Sequence, residues 1–539
     1  MPDSAIPAAR RLAARANTPG TLAILIFASV SLALLGLHAN RVVFSNDEGI
    51  ILDAANRMLH RQALYRDFFA YMSPGSYWLQ EAAFRVCGVT LLAGRLPVIL
   101  DFALECALLF WLTARLSSKA AAGAVTALFF AFQASKPDFL LAQHRMDSAA
   151  LSLAAIALCW QGSQLRRAWC WIAGGVLIVA ASACTPSVAL LAPVVLVWLL
   201  AERPLRHFVI PYICGLSIGA ILFAARLAAG GTLFAFLDQM RWLHTHYSSV
   251  NIMPYGSIVG GYLAALSASN GIAVSCLALP AILPLFALAA WGLLLCLRRP
   301  ERRWAAGHAI PFLLACAAAL VLSTYPRADV AHLAFIAALP AILTAVWIAR
   351  YAPRWLNLGI FAILAICAGL FLVSAANRIR TEITVATPVG RLQLAPPDAG
   401  PLSALLNTVR PGDALYAHPY MPLLYFLTQG QNPTRYSYLQ PGLMTRDEEL
   451  AALAALRRSP PKWLLYLPLS RAEFLRVFPH AGQLDHRFPS IEEWRERQYV
   501  PVEPPVIVAG YRLYARKPGL EPAIKRYSAP SFPASATAE

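Results

Sequence analysis

Ionisable side chains gather in four polar stretches between long apolar runs. The first, FSNDEGIILDAANRMLHRQALYRDFFAYMSPGSY (44–77), sets Asp47, Glu48, Asp53 and Asp67 among Arg57, Arg61 and Arg66. The second, SKPDFLLAQHRMD (135–147), holds Lys136, Asp138, His144, Arg145 and Asp147. The third, DQMRWLHTHYSSVNIMPYG (238–256), carries Arg241, His244, His246 and Tyr247, and the fourth, TYPRADVAHL (324–333), carries Tyr325, Arg327, Asp329 and His332. A carboxylate so placed can take a proton from a hydroxyl, and fixed cations can hold an anion. Ionisable groups at membrane depth are costly, so each is a candidate for function.

Each also has a structural reading. Ser45–Glu48 has the S-x-x-E form of a capping box, so Glu48 can close a helix N-terminus and Asp47 can complement its dipole. Capping does not account for Asp47 at the mouth of the apolar runs, and for Asp47 the chemical role is expected. The helix that follows, EGIILDAANRMLHR, has apolar residues at near-helical spacing and is expected to lie on the membrane surface. Asp53 then points to water or pairs with Arg57 at i+4. Asp67 can be a partner of Arg66 or of a backbone donor, and Arg145 and Asp147 can pair with each other. Lys136 is a rare Lys in a short loop, against the charge bias of its neighbours. His244 and His246 lie at i and i+2, whereas a helical metal pair needs i and i+4. Tyr and Trp in these loops can form an interfacial belt or stack on a sugar.

The elements that must position these residues are membrane helices. The chain has 539 residues, 58% hydrophobic and only 14% charged, with a mean hydropathy of +0.55. A soluble domain carries about 25% charged residues. Apolar runs of about 20 residues recur, the length that crosses a bilayer. The pattern predicts a polytopic α-helical membrane protein of about eleven transmembrane helices. Their approximate ranges are 20–38, 96–116, 120–135, 146–162, 169–183, 186–201, 208–229, 271–297, 305–323, 331–349 and 355–375. The first is read as a retained span, because no small-residue cleavage site follows it. Basic clusters such as Arg10/Arg11/Arg15, Arg166/Arg167 and Arg298/Arg299/Arg302/Arg303 then share one side with the N-terminus, which makes that side cytoplasmic. This distribution accounts for the net charge of +17 and argues against a nucleic-acid partner.

The expected organisation is a cytoplasmic tail (1–19), a transmembrane module (20–377) with a large first outer loop (39–95), a linker (378–400), a small periplasmic α/β domain (401–517) and a disordered tail (518–539). The α/β reading rests on alternation of strand-like DALYA, KWLLYLP and VIVAGYRLYARK with helix-like RDEELAALAALRRS and SIEEWRERQ. No Gly-rich phosphate loop occurs in that region, which argues against an ATP-driven pump. The ten Cys show no metal or disulfide spacing, and none follows Cys367.

The ordered set NDEG…YRDFF…P…Y, HRMD and YPRADVAHL, all on one membrane face, resembles the C-type (GT-C) glycosyltransferases. It resembles in particular the bacterial branch related to protein O-mannosyltransferases and the lipid A aminoarabinose transferase. The resemblance covers roughly the first 375 residues and extends weakly into DALYAHPYMPLLYFLTQGQNPTRY. It implies an enzyme of the bacterial inner membrane that transfers a sugar from a polyprenyl-phosphate carrier to a lipid, glycan or protein acceptor on the periplasmic face, with inversion. On that basis Asp47 is the expected base and Glu48 the second choice. Lys136, Arg145, Arg327 and His332 are expected at the donor phosphate, and Asp67, Asp147, His244 and Tyr325 at the substrate. The acidic pair is not D-x-D, so no metal ligand and no cofactor is predicted, although converging carboxylates leave room for a divalent cation. The alternative is a transporter or flippase of lipid-linked sugars. It calls for polar residues strung through the spans and for an internal repeat. Neither stands out here, apart from isolated residues such as Glu105 and Arg226.

Overall fold

The computed structural model describes residues 18–135, 140–255, 257, 271–297 and 309–519. The chain is mostly helical and crosses the membrane several times. The membrane module begins with α1 (Pro19–Leu37), α2 (Asn46–Leu59), α3 (Gly75–Cys87), α4 (Leu91–Leu116) and α5 (Lys119–Ser135). It continues with α6 (His144–Leu165), α7 (Ala168–Cys184), α8 (Leu191–Ala201), α9 (Val209–Ala229) and α10 (Leu233–Asn251). It ends with α11 (Gly271–Leu297), α12 (Ala309–Ser323), α13 (Val330–Phe335), α14 (Ala338–Tyr351) and α15 (Arg354–Thr381). Helices α1, α4 and α9 and the 357–381 part of α15 lie within the segments both long and apolar enough to span, and α5, α7, α8, α12 and α14 are shorter apolar helices.

Side chains such as Ile24 and Leu32 on α1, Ile210 and Ile221 on α9, and Leu358 and Leu370 on α15 are exposed. An apolar surface of that kind suits lipid rather than water. The module's core runs from Phe102 and Leu109 on α4 through Ile156 and Trp160 on α6 to Leu313 on α12 and Ile342 on α14. Helices α7 and α9 cross closely, because a Cβ on Gly215 would lie 2.2 Å from the Ile172 carbonyl oxygen. Small residues at such crossings let membrane helices reach backbone contact.

The stretch 378–400, expected as a linker, is structured. It holds the end of α15, a hairpin of β1 (Ile383–Thr387) and β2 (Gly390–Leu394), and the start of α16 (Pro396–Thr408). Gly390 has φ +115°, which a side chain would oppose, and this lets the hairpin turn. The hairpin holds the first loop through Val42 N–H to Gln393 O (2.8 Å) and Gln393 N–H to Asn40 O (2.8 Å).

The remaining elements are β3 (Leu415–His418), α17 (Pro422–Thr428), α18 (Arg446–Arg458), β4 (Trp463–Tyr466), α19 (Arg471–Val477), α20 (Pro489–Gln498), β5 (Tyr499–Pro501), β6 (Ile507–Val508) and β7 (Tyr511–Arg516). They build a mixed sheet in the order β3-β4-β7-β5, with β6 on β7. Strands β3 and β4 are parallel, with Leu415 opposite Trp463, whereas β4 and β7 are antiparallel, with Trp463 opposite Ala515. Both α18 and α19 start in capping boxes, from Thr445 to Glu448 and from Ser470 to Glu473.

The position of α2 corrects the expectation of a surface helix. Ile50, Ile51, Leu52, Ala54 and Met58 share one core with Tyr416, Leu423, Phe426 and Leu465 of the C-terminal sheet region. Polar bonds reinforce this contact. Asp53 is buried and accepts from Ser437 Oγ (2.6 Å), and Arg57 donates to Ser437 Oγ (2.8 Å) and to the Thr434 carbonyl (3.2 Å). Asp53 therefore faces neither water nor a direct ion pair with Arg57. Gly49 is required here, since a Cβ would lie 2.1 Å from Leu423 N. The amphipathic pattern was real, but its apolar face is covered by protein. The sequence also placed one span over 331–349, and the chain there divides into α13 and α14.

Candidate active site

Asp47 stands in the first turn of α2, and its neighbour Glu48 turns the other way. The Glu48 carboxylate is fully buried against Arg95 of α4, which grips it through Nε to Oε1 and through Nη2 to Oε2 (2.8 Å). Arg95 also donates from Nη2 to the Arg41 carbonyl (3.1 Å), and its Nη1 lies 2.7 Å from His38 Nε2. The Ala142 N–H reaches Glu48 Oε1 at 3.3 Å. Glu48 is therefore committed to an interior ion pair and is not free to act as a base. It does not form the expected capping box either, because the Ser45 side chain caps nothing. Its place is to fix the helix turn that carries Asp47.

Solvent reaches Asp47, but the surrounding protein withdraws it from bulk water, and this burial pushes its carboxyl up from the ordinary value. His332 when protonated, Arg327 and Arg145 pull it back down, while Asp329 pushes it up. Residues from α2, α6 and the 324–332 stretch thus act on one carboxylate. Tyr71 and Tyr438 also feel the Asp47 charge. The Tyr71 ring lies 5.5 Å from Tyr438 and 6.2 Å from Tyr247. Tyr438 comes from the C-terminal region, a contribution that no local pattern marks.

Arg145 is the second residue of α6. Its Nη1 donates to the Ser323 carbonyl at 3.4 Å, and its buried Nε has no partner. No carboxylate among the described residues lies within ion-pair distance of it. The expected pair with Asp147 is absent: Asp147 is buried and lies beside Asp101 and Ser76 instead. One helical step separates Arg145 from Met146 and two from Asp147, which sends the two charges to different faces.

Arg145 lines a cavity of about 730 Å³ together with Tyr71 and Ser73, His144, the last turns of α7, residues 185–187 and Ala189, Phe223 of α9, and Phe236, Met240, Leu243, His244, Tyr247 and Ser248 of α10. The stretch 230–270, expected as a loop, thus supplies a helix as one wall. Tyr325 and Pro326 complete the lining, and Tyr325 is largely exposed. The wall of α7, α9 and α10 is mainly apolar, and the polar groups cluster around His144 and Arg145.

Arg327 and His332 lie close enough to influence Asp47 but have partners of their own. Arg327 donates from Nε to Asp329 (2.7 Å), from Nη1 to Asn251 Oδ1 (3.2 Å) and from Nη2 to the Val477 carbonyl (3.4 Å). Its guanidinium also lies 5.6 Å from the Phe478 ring centre. It therefore clasps the 324–329 turn to α10 and to the C-terminal region. Asp329 caps α13, accepting from the His332 N–H (2.9 Å), and contacts His332 Nδ1 (2.6 Å). Burial pushes the Asp329 carboxyl up, but its bonds to His332 and Arg327 outweigh this and hold it well below the usual range.

Asp67 is remote from this arrangement. It grips Arg66 in an exposed ion pair and accepts from the Ala63 N–H (2.7 Å). Its short distance in sequence to Arg66 decides this, and a substrate-orienting role has no geometric support. Lys136 lies outside the described residues. Among the described residues no group of three His, Cys, Asp or Glu is placed to hold a metal ion.

No protein-family model matches the chain. No curated protein matches it either. Among solved structures, the chain is similar to ArnT from Cupriavidus metallidurans, crystallised with undecaprenyl phosphate and in the apo state. For each the TM-score is 0.56 at 14% identity, over 92% of this chain and 98% of that one. A looser likeness, TM-score 0.46 at 13% identity over 82% of this chain and 67% of that one, is to the Archaeoglobus fulgidus oligosaccharyltransferase in complex with zinc and sulfate. The chain has the fold of ArnT.

Proposed function

We propose that the protein is a membrane glycosyltransferase that moves a sugar from a polyprenyl-phosphate carrier to an acceptor hydroxyl on a lipid, glycan or protein. One observation carries this reading. A cavity with mainly apolar walls is lined by Arg145, an arginine with no carboxylate partner among the described residues, and Arg145 lies within electrostatic reach of Asp47. A guanidinium with no counter-ion among the described residues invites an anion, and apolar walls suit a prenyl chain. ArnT, which shares the fold, was crystallised with undecaprenyl phosphate.

In this mechanism the acceptor oxygen attacks the anomeric carbon while Asp47 takes its proton. The bond from that carbon to the phosphate oxygen breaks, and the electron pair leaves with the phosphate. Arg145 offsets the charge that grows there, the kind of contribution that is often the largest in catalysis. Arg327, aided by His332 when that ring is protonated, holds the Asp47 carboxyl toward its ionised, proton-accepting form. A single displacement inverts the anomeric carbon. His244 and Tyr325, at the cavity wall, are placed to contact sugar or acceptor. We place the site on the extracytoplasmic face of a bacterial inner membrane, with the N-terminus in the cytoplasm, on the strength of the basic clusters in the sequence.

The test uses purified protein in proteoliposomes, a polyprenyl-phosphate donor with radiolabelled sugar, and an envelope lipid extract as acceptor. The proposal expects label in a new glycosidic bond. Label that crosses the bilayer with no new bond would reject it in favour of transport.

A further inference from the structure

His144 borders the cavity beside Arg145, and the hydrogen bonds around it fix where its ring proton sits. The Ser148 hydroxyl donates to the Arg145 carbonyl (3.0 Å), which uses its only hydrogen. Thr185 Oγ1 lies 3.0 Å from Ser148 Oγ, 3.3 Å from the His144 carbonyl and 2.8 Å from His144 Nδ1. If the Thr185 hydrogen went to Nδ1, its oxygen would face two acceptors with no proton between them. If that hydrogen goes to Ser148 or to the carbonyl, a lone pair on Oγ1 is left for an Nδ1–H. Every group is then satisfied, as buried polar groups generally are. Nδ1 therefore carries the hydrogen, and the neutral ring keeps its lone pair on Nε2.

The Nδ1 edge is held by Thr185, the residue after α7, which leaves the Nε2 edge for the cavity. A lone pair cannot face a phosphate oxygen, and the neighbouring Arg145 disfavours a second positive charge. What meets Nε2 must bring a polar hydrogen. We propose that His144 is a specificity residue whose Nε2 accepts a hydrogen bond from a hydroxyl or amino hydrogen on the donor sugar, next to the phosphate held by Arg145. This rests on the reading of the cavity as the donor site. The Thr185–Ser148 relay is the positioning device, since it selects the tautomer.

The test has two arms, both on the full chain. In the first, 15N-histidine-labelled protein in nanodiscs is observed by NMR, with the His144 signals assigned by their loss in H144N. A single Nδ1–H tautomer is expected in the wild type and a mixture of tautomers in T185V. An Nε2–H signal in the wild type, or no change in T185V, overturns the relay. In the second arm, binding of undecaprenyl phosphate alone is compared with binding of a polyprenyl-phosphate hexose. Asn at 144 keeps a donor for Thr185 but lacks the distal acceptor. H144N is expected to bind the hexose lipid about tenfold more weakly, the scale of one hydrogen bond, with the bare carrier unaffected. T185V, which keeps the ring, is expected to show a smaller loss in the same direction and serves if H144N does not fold. Equal losses for both lipids, or none, overturn the contact. If the wild type binds neither lipid, the donor-site reading falls and the contact with it, while the tautomer result still stands on the first arm.

Discussion

Replacing Arg95 with Met should be among the most damaging single changes in the membrane module. Arg95 is fully buried, and its guanidinium holds both Glu48 oxygens and the Arg41 carbonyl. After substitution the Glu48 carboxylate keeps only the Ala142 N–H at 3.3 Å. Breaking a buried ion pair from one side costs about 3–5 kcal/mol, because a charge is left without a partner. Removing the charge as well, in E48M/R95M, should recover most of that loss. The recovery stays incomplete, since the Arg41 carbonyl remains unsatisfied at about 1–3 kcal/mol. Thermal unfolding of the detergent-solubilised protein, followed by tryptophan fluorescence, reads the difference. At about 2 °C per kcal/mol, the single variant should melt roughly 6–10 °C below the wild type and the double variant nearer to it. A single variant within about 0.5 kcal/mol of the wild type, or a double variant no better than the single, would refute the assignment of Glu48 as a structural anchor for Asp47.

Gly49→Ala should force α2 away from α17, because its Cβ would lie 2.1 Å from Leu423 N. A loss of about 1–3 kcal/mol or more is expected in the same melt. Arg327→Gln removes a charge that holds the Asp47 carboxyl down, so the acid limb of kcat/KM should move to higher pH. An unmoved limb would separate Arg327 from Asp47. The folded Asp329 carboxyl is depressed, so its stabilising effect is full above its unfolded pKa of about 3.9 and fades as pH falls toward the folded value. Wild type should therefore lose stability relative to Asp329→Asn as pH drops from about 5 toward 3, and parallel curves would contradict this.

Hydropathy made the membrane helices legible, and alternating patterns made the C-terminal sheet and helices legible, because burial imposes both. Asp47 and Arg145 could be singled out because charge next to an apolar run is costly. What the sequence concealed depends on distance. Glu48 and Arg95 are 47 residues apart, and no periodicity marks their union. The local S-x-x-E pattern pointed instead to a cap that does not form. The amphipathic face of α2 suits a membrane surface or a protein core equally, and only the C-terminal region, more than 350 residues away, decides between them. Tyr438 and Thr185 reach the site for the same reason. Asp67 is legible in the opposite way, since its partner Arg66 is its neighbour in the chain.

The central claim is that Asp47 takes a proton from the acceptor while the donor phosphate is held elsewhere in the site. The most direct measurement compares sugar transfer and donor binding in wild type and Asp47→Asn, which keeps the shape and removes the base. Transfer should fall about 10²–10⁴-fold with donor affinity little changed. Undiminished transfer by the Asn variant would contradict the account.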